Sequence, residues 1–286
     1  MTEAVALREA STIMVLRDGA NGIEVLMLRR NLSSGWVGGM HLFPGGAVDA
    51  EDRAPAMAEL CRGFDDQEAS RLLGTREGGL GYFVAAVREC FEEAGVLLAS
   101  PAGSPSAVSF VDPAVERRFI EHRRLLNKGE AAFSSICQQE DLQLDLARLG
   151  YISHWITPAG SPRRYDTRFL VARMPPGQEA LHDDVEVIDS AWLEPADALS
   201  RHERGEIEMM FPTVHNLRSI GAFGRVEEVL EATASSEVPA IEPRLTIAGK
   251  EVRILMPGEA GYEEATGLPE GTPFPDDSRR RRNADA

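Results

Sequence analysis

The feature that most constrains this chain is the segment Arg88–Val96, which reads RECFEEAGV. It lies in a stretch that predicts one helix from Tyr82 to Ala99, beginning after Gly81 and ending where Pro101 prevents continuation. At 100° per residue, one arc of this helix is apolar and should face a core: Val84, Val87, Phe91, Ala94 and Leu98. The opposite arc carries three carboxylates, those of Glu89, Glu92 and Glu93.

Three carboxylates this close repel one another, and each would raise the pKa of the others unless a cation lies among them. Hard divalent ions such as Mg²⁺ and Mn²⁺ bind clusters of oxygen ligands of this kind. The alternative is an acidic helix face in contact with water, which is the usual meaning of paired glutamates. The helix alone does not decide between the two.

A second informative segment lies upstream, at Phe43–Asp52, and reads FPGGAVDAED. Its Pro-Gly-Gly turn lets the backbone approach a ligand closely, because no side chains intervene. Together the two segments resemble the Nudix hydrolase signature, G-x5-E-x7-R-E-U-x-E-E-x-G-U, where U is aliphatic. The matching positions are Gly46, Arg88, Glu89, Cys90, Glu92, Glu93, Gly95 and Val96.

The chain departs from this signature in two ways. The glutamate expected six residues after Gly46 is Asp52 here, and Glu51 precedes it, so either could take the family role. Thirty-five residues separate Asp52 from Arg88, where the signature has seven, so 28 are inserted. We expect this insertion to form two short helices that cap the site, since long loops inside compact domains are usually functional or disordered.

The resemblance implies an α/β fold, the Nudix α-β-α sandwich with a mixed sheet between helices. We predict a Nudix domain over residues 8–232, interrupted by the insertion at 53–80 and by a second helical insertion at 112–149. Residues 233–286 form a C-terminal extension, with a disordered tail from Gly267. Among the individual elements, we predict a helix opening at Asp112-Pro113, a helix over Leu142 to Leu149, and a hairpin over Leu245 to Leu255.

Composition restricts the partners. The net charge of −16 argues against binding nucleic acid through a general basic surface. No apolar run reaches the ~20 residues of a membrane span, and we expect no secretion signal. Cys61, Cys90 and Cys137 are an odd, scattered set, which favours free thiols and a cytoplasmic protein. A homodimer is left open.

Two further segments narrow the family resemblance. Arg30, Gly39 and Phe43–Gly46 are similar to the motif of the coenzyme A diphosphatases, although Asn31 and Gly35 depart from it. The interrupted signature and the stretch from Ser153 to Phe169 resemble the peroxisomal-type members and their bacterial relatives. This resemblance implies hydrolysis of coenzyme A or its thioesters to 3′,5′-ADP and a 4′-phosphopantetheine.

The resemblance also implies roles for the acidic residues. Glu89, Glu92 and Glu93, helped by Gly46, would hold Mg²⁺ or Mn²⁺, and the bound metal would activate a water for in-line attack on phosphorus. Glu92 or Glu186 would take the proton from that water. Arg88 would orient a carboxylate, although as a neighbour of Glu92 it could equally form an ordinary surface ion pair.

Five arginines are candidates for binding the phosphates of a small nucleoside diphosphate substrate: Arg29, Arg30, Arg163, Arg164 and Arg168. The last three could instead only flank a strand. Two functional alternatives stay open. One is a hydrolase of ADP-ribose, NADH or dinucleotides, and the other is a Nudix-fold binding module without catalysis.

Overall fold

The computed structural model describes residues 5–32, 38–181, 187–235, 237–248, 251–265 and 267. The chain divides into two compact units. The larger unit comprises Ala10–Ser153 and Arg168–Val238, and the smaller one comprises Met1–Glu9, His154–Thr167 and Pro239–Ala286. No helix in the described part of the chain has both the length and the apolar character to cross a membrane.

The strands are β1 (Leu7–Asp18), β2 (Ile23–Arg30), β3 (His41–Leu42), β4 (Gly45–Ala47), β5 (Cys61–Arg62), β6 (Ala99–Pro101), β7 (Leu142–Asp145), β8 (Gly150–Ile156), β9 (Arg164–Arg173), β10 (Val187–Leu193), β11 (Ala240–Ile241), β12 (Arg244–Ala248) and β13 (Glu251–Leu255). The helices are α1 (Pro55–Glu59), α2 (Asp66–Leu73), α3 (Gly79–Ala94), α4 (Pro113–Asn127), α5 (Phe133–Gln139), α6 (Pro195–Glu203), α7 (Phe211–Ile220) and α8 (Val226–Ser235). Two short 3₁₀ turns span Glu51–Arg53 and Leu146–Arg148.

The main sheet has the order β10-β2-β1-β9-β8-β11, with β3 added to β2 and β4 added to β1. The β1–β2 and β2–β10 pairs are antiparallel, whereas β8 and β11 are parallel, so the sheet is mixed. In β1, four consecutive side chains from Ile13 to Leu16 are fully buried. A strand buried on both faces needs cover on both faces. The predicted α/β sandwich with a mixed sheet is confirmed.

One face of the sheet is covered by α3, whose side chains are buried almost all round. Ile13, Val15, Leu26 and Leu28 share a core with this helix. Phe91 extends the core toward the later insertion, since its ring lies 6.3 Å from that of Phe119 in α4 and 6.5 Å from that of Phe133 in α5. The helix is therefore the centre of the larger unit.

The insertion builds the start of α3. The helix begins at Gly79, earlier than predicted, because the side chain of Asp66 in α2 accepts hydrogen bonds from the backbone N–H groups of Gly78 and Leu80 at 3.0 and 2.9 Å. The Ser70 hydroxyl accepts a third from Gly79 at 2.9 Å. These donors are among the N–H groups that a helix start leaves without partners. The two predicted helices of the insertion are confirmed as α1 and α2, whereas its placement as a cap stays a prediction.

Two predictions of local structure were wrong. The helix α3 ends at Ala94, not Ala99, because Gly95 adopts the left-handed conformation (φ 67°) that closes helices. The helix predicted over Leu142 to Leu149 is instead the strand β7 followed by a 3₁₀ turn. In β7, Leu142 and Leu144 are buried while the residues after each are half-buried, which is the two-residue alternation of a strand.

Other local predictions are confirmed. The Asp112 side chain caps α4 by accepting from the N–H of Ala114 at 2.8 Å, with Pro113 in the first turn. The C-terminal hairpin is present as the antiparallel pair β12–β13. Glu186 and the tail beyond Gly267 lie outside the described residues. The domain boundaries at 8–232 and 233–286 stay a prediction.

Candidate active site

Arg88 is the centre of the site. Its guanidinium binds Asp52 through both carboxylate oxygens, with Nε–Oδ1 and Nη2–Oδ2 distances of 2.8 and 2.9 Å. Nη1 binds Glu89 at 2.9 Å and Glu92 at 3.2 Å, and Nη2 also donates to the carbonyl oxygen of Ala47 at 3.0 Å. The Arg88 side chain is only 9% exposed, so the alternative of an ordinary surface ion pair is excluded by its burial.

Asp52, and not Glu51, is the residue that meets Arg88. Its side chain is 2% exposed and also accepts a hydrogen bond from the backbone N–H of Asp49 at 2.8 Å. Glu51, its neighbour in the same 3₁₀ turn, is exposed. The turn therefore aims one of the two acidic side chains inward. Asp49 adds a weaker contact at the rim, 3.6 Å from Arg88.

The Pro-Gly-Gly turn leads directly into the site. β4 runs antiparallel to β1, with Gly46 opposite Ser11 and Gly45 opposite Thr12. A Cβ atom at Gly46 would overlap the carboxylate of Glu89. The glycine is therefore required by the close approach of this carboxylate, whereas its part in holding a metal stays a prediction.

Glu93 corrects one expectation. The helical arc predicted it on a face turned away from the core, but the residue is only 5% exposed. Its Oε2 accepts a hydrogen bond from the backbone N–H of Gly45 at 3.0 Å. The strand β4 covers this face of the helix, so the acidic arc lies between two elements and not in open solvent. Glu93 thus ties the helix to the Pro-Gly-Gly turn.

The electrostatics follow from this burial. Burial raises the pKa of Glu89 to about 7, although the positive charge of Arg88 opposes the shift. Burial raises the pKa of Glu92 in the same way. The buried guanidinium of Arg88 has a raised pKa, since its carboxylate partners outweigh the cost of desolvation. The site therefore holds more carboxylates than its one arginine neutralises, which favours an additional cation.

The donor chemistry fits a divalent ion, although the carboxylates do not converge on one. Carboxylate oxygens of Glu89 and Glu92 are hard ligands of the type that Mg²⁺ and Mn²⁺ prefer. Among the residues the structure describes, no three acidic, histidine or cysteine side chains are gathered around one metal position. Nη1 of Arg88 contacts both glutamates, so a bound ion would share their oxygens with the guanidinium.

The insertion at 112–149 holds the C-terminal end of α3, and the sequence did not indicate this contact. In α4, Arg123 Nε donates to the backbone carbonyl of Glu92 at 2.9 Å, and Asn127 donates to the same oxygen at 3.2 Å. Carbonyl groups in the last turn of a helix have no partner within the helix. The sequence predicted only that this segment is helical. It gave no sign of the contact with Glu92, because an arginine on an amphipathic helix usually faces water.

The arginine candidates are dispersed over the structure. Arg30 shares the face of β2 that carries Leu28 and the core with α3, whereas Arg29 shares the opposite face with Met27. Arg29 lies opposite His41 and Asp189 on the neighbouring strands β3 and β10. Of this pair, only Arg30 is on the side of the sheet that bears the acidic cluster.

Arg168 is buried against α3, with its guanidinium carbon 5.1 Å from the ring centroid of Tyr82. Arg163 and Arg164 belong to the smaller unit. There Arg164 donates to the carbonyl of Thr157 at 3.0 Å and binds Glu242 at 2.7 Å. Substrate binding by these arginines, and the role of Glu186 as a base, stay predictions.

Comparison with known proteins is consistent with this geometry. The profile of the NUDT19 Nudix domain matches residues 64–220. The chain is 27% identical over 305 residues to the acyl-coenzyme A diphosphatase NUDT19 of Gallus gallus, covering 90% of this chain and 80% of that protein. The human protein of the same name is 26% identical, covering 86% of this chain and 74% of its own.

Among solved structures, a NUDIX hydrolase from Alicyclobacillus acidocaldarius superposes with a TM-score of 0.65 at 28% sequence identity, covering 79% of this chain and 96% of that one. The family profile spans more than half of the chain, including α3 and the carboxylates on it. The chain therefore belongs to the Nudix hydrolases, in the family of the NUDT19 Nudix domain.

Proposed function

We propose that the protein hydrolyses the diphosphate bond of coenzyme A or of acyl-coenzyme A, giving 3′,5′-ADP and a 4′-phosphopantetheine. The observation that carries the proposal is the intact cluster around Arg88, in a chain that resembles two proteins named acyl-coenzyme A diphosphatase. A module that only binds nucleotides has no need to hold the carboxylates of both Glu89 and Glu92 on one arginine.

Nudix hydrolases generally use divalent metal ions, and Mg²⁺ or Mn²⁺ suits the oxygen donors of this site. Glu89, Glu92 and Glu93, helped by Gly46, are the residues proposed to hold the ion, and Glu93 lies on the side of the Pro-Gly-Gly turn. A bound ion would lower the pKa of a water and neutralise the charge that develops on the phosphoryl oxygens.

The protein's own residues then have separable roles. Arg88 orients Glu89 and Glu92, because its guanidinium is anchored to Asp52. Moving the guanidinium away would leave the buried carboxylate of Asp52 without its charged partner. Gly45 and Gly46 let the backbone pass close to the carboxylates and to the substrate. Glu92 is proposed as the proton acceptor, since it is the least buried of the three glutamates. Glu186 is the alternative.

The proposal is tested by product analysis of the purified protein with Mg²⁺ or Mn²⁺ against coenzyme A, acetyl-coenzyme A, ADP-ribose, NADH and 8-oxo-dGTP. We expect 3′,5′-ADP from the first two substrates at the highest kcat/KM. Faster cleavage of ADP-ribose or NADH would replace the proposal by a general nucleoside diphosphate hydrolase. A folded protein that binds these nucleotides but cleaves none would support the binding module.

The variant Glu93→Gln tests the catalytic role of the acidic cluster. It keeps the shape and the acceptor for the Gly45 N–H but removes the charge, and we expect turnover to fall ~10²–10⁴-fold. Glu77→Gln is the matched change, because Glu77 is an exposed glutamate before the same helix. Near-normal turnover in folded Glu93→Gln would remove this side of the helix from the mechanism.

The setting of the reaction is also a proposal. Cys61, Cys90 and Cys137 are all free thiols, which supports a cytoplasmic protein in a reducing compartment. The substrate would be a small molecule and not a nucleic acid, in keeping with the net charge of −16. A homodimer stays a prediction that sedimentation analysis can test.

A further inference from the structure

Two guanidinium groups meet the ring of one tyrosine in the first turn of the catalytic helix. The guanidinium carbon of Arg53 lies 5.7 Å from the centroid of Tyr82, and that of Arg168 lies 5.1 Å from the same centroid. Both distances are within the range of a cation–π contact. Tyr82 and Arg168 are buried, whereas Arg53 is exposed. Of the two arginines at this ring, Arg53 is therefore open to solvent and Arg168 is not.

The position of Arg53 is built by glycines at the end of the insertion. Its Nε donates to the carbonyl of Gly78 at 3.4 Å. A Cβ at Gly78 would lie 2.8 Å from that Nε, and a Cβ at Gly81 would lie 2.7 Å from Cγ of Arg53. Exposed arginines are usually mobile, since their side chains lose rotamer entropy when they are held. Glycines at these two positions leave room for the Arg53 side chain to lie against the start of α3.

Helix geometry relates this arginine to the carboxylates. Tyr82 and Glu89 are seven residues apart in α3, so they lie on the same face, two turns and ~10 Å apart along the axis. Arg53 also directly follows Asp52, the anchor of Arg88. A nucleotide whose diphosphate lies at Glu89 would thus have Arg53 within reach of another of its anionic groups.

We infer that Arg53 binds a second phosphate of the substrate, separate from the diphosphate that is cleaved. The chemical class is a nucleotide carrying a ribose phosphate, such as the 3′-phosphate of coenzyme A, and the inference rests on the function proposed above. A protein with net charge −16 repels such a ligand at long range, so a local cation is needed. Arg168 meets the same ring but is buried, so the proposed contact with the second phosphate is assigned to Arg53.

The first experiment compares coenzyme A with 3′-dephospho-coenzyme A in the wild type and in Arg53→Gln. In the wild type we expect coenzyme A to have the higher kcat/KM by about tenfold or more, which corresponds to about 1.4 kcal/mol per factor of ten. Arg53→Gln should remove this preference while changing kcat/KM for the dephospho form less than threefold. Arg71→Gln is the matched control, since Arg71 is an exposed arginine of the same insertion.

The second experiment measures binding without turnover. We expect 3′,5′-ADP to bind the wild type about tenfold more tightly than 5′-AMP by calorimetry, and Arg53→Gln to bind both equally. Gly81→Ala, which pushes the Arg53 side chain away without changing its charge, should behave like Arg53→Gln.

The outcomes separate the two proposals. Failure of the wild type to cleave either form of coenzyme A overturns the proposed function. Cleavage with a phosphate preference that survives in Arg53→Gln, or with no preference in the wild type, overturns only the inference about Arg53. Loss of the preference in Arg71→Gln as well would also overturn it, because the effect would then come from general charge.

Discussion

Replacing Asp52 by Asn tests whether the carboxylate of Asp52 holds the guanidinium of Arg88 in place. The change removes the charge of a carboxylate that is 2% exposed and receives three hydrogen bonds, two from Arg88 and one from the N–H of Asp49. All three partners are donors, so the amide NH₂ of Asn must face at least one of them. The substitution therefore loses a charge pair and also creates a clash between donors.

The magnitude follows from the surroundings of Arg88. Removing one partner of a buried ion pair costs about 3–5 kcal/mol when the other charge is left alone. Arg88 keeps Glu89, Glu92 and the carbonyl of Ala47, so we expect the lower end, a loss of about 3 kcal/mol in the free energy of unfolding. For a domain of this size, each kcal/mol lowers Tm by roughly 2–4 °C, so the loss is about 6–12 °C.

The assay is urea unfolding, with ΔG and the slope m taken from the same transitions. Glu51→Gln is the matched control, because it removes an exposed carboxylate from the same turn and should change ΔG by less than about 0.5 kcal/mol. A double-mutant cycle with Arg88→Met should give a coupling energy above 1 kcal/mol. A loss below 1 kcal/mol in Asp52→Asn, with unchanged m, would show that the pair does not anchor the site.

Three other predictions concern separate parts of the structure. Gly46→Ala should lower kcat/KM by at least about tenfold with little change in Tm, because its Cβ displaces the carboxylate of Glu89. Steady-state kinetics and a thermal melt measure the two quantities, and activity equal to that of the wild type would refute the close contact. Asp66→Ala should cost about 1–2 kcal/mol in urea unfolding, since two backbone donors at the start of α3 lose their acceptor, whereas Gln67→Ala, at the next and exposed position, should cost far less. Burial raises the pKa of the half-buried Cys61 and of the buried Cys137 to about 12, so at pH 8 both thiols should resist Ellman's reagent in the native protein and react in denaturant. Rapid labelling of either thiol in native buffer would contradict the raised pKa.

The sequence was most informative where chemistry fixes residue types at fixed spacing. The Arg88–Val96 segment predicted a helix with clustered carboxylates, and the structure places Glu89 and Glu92 together on Arg88. The choice between Glu51 and Asp52 needed coordinates, because a 3₁₀ turn decides which neighbour points inward. Helical periodicity also misplaced Glu93, since a helix wheel shows direction but not which element covers it.

The errors in secondary structure have local causes. Ala94 to Ala99 continued an apolar pattern, and the left-handed Gly95 outweighed it. The segment from Leu142 contains good helix formers, but its pairing with β5 and β6 on either side makes it a strand. Tertiary contacts of this kind override intrinsic preference. Strand alternation places Arg29 and Arg30 on opposite faces, but the sequence could not show which of the two faces α3 covers.

The attachment of α3 at both ends has consequences for the local unfolding of its first turn and for the length to which the insertion can be shortened. Asp66 and Ser70 complete the first turn, while Arg123 and Asn127 hold the last one, and all four come from segments that the short Nudix signature lacks. Cutting the insertion back to the seven residues of that signature would delete the first turn of the helix itself. The backbone amides of Gly79 and Leu80 should accordingly exchange with solvent only when α2 unfolds with them, as one cooperative unit.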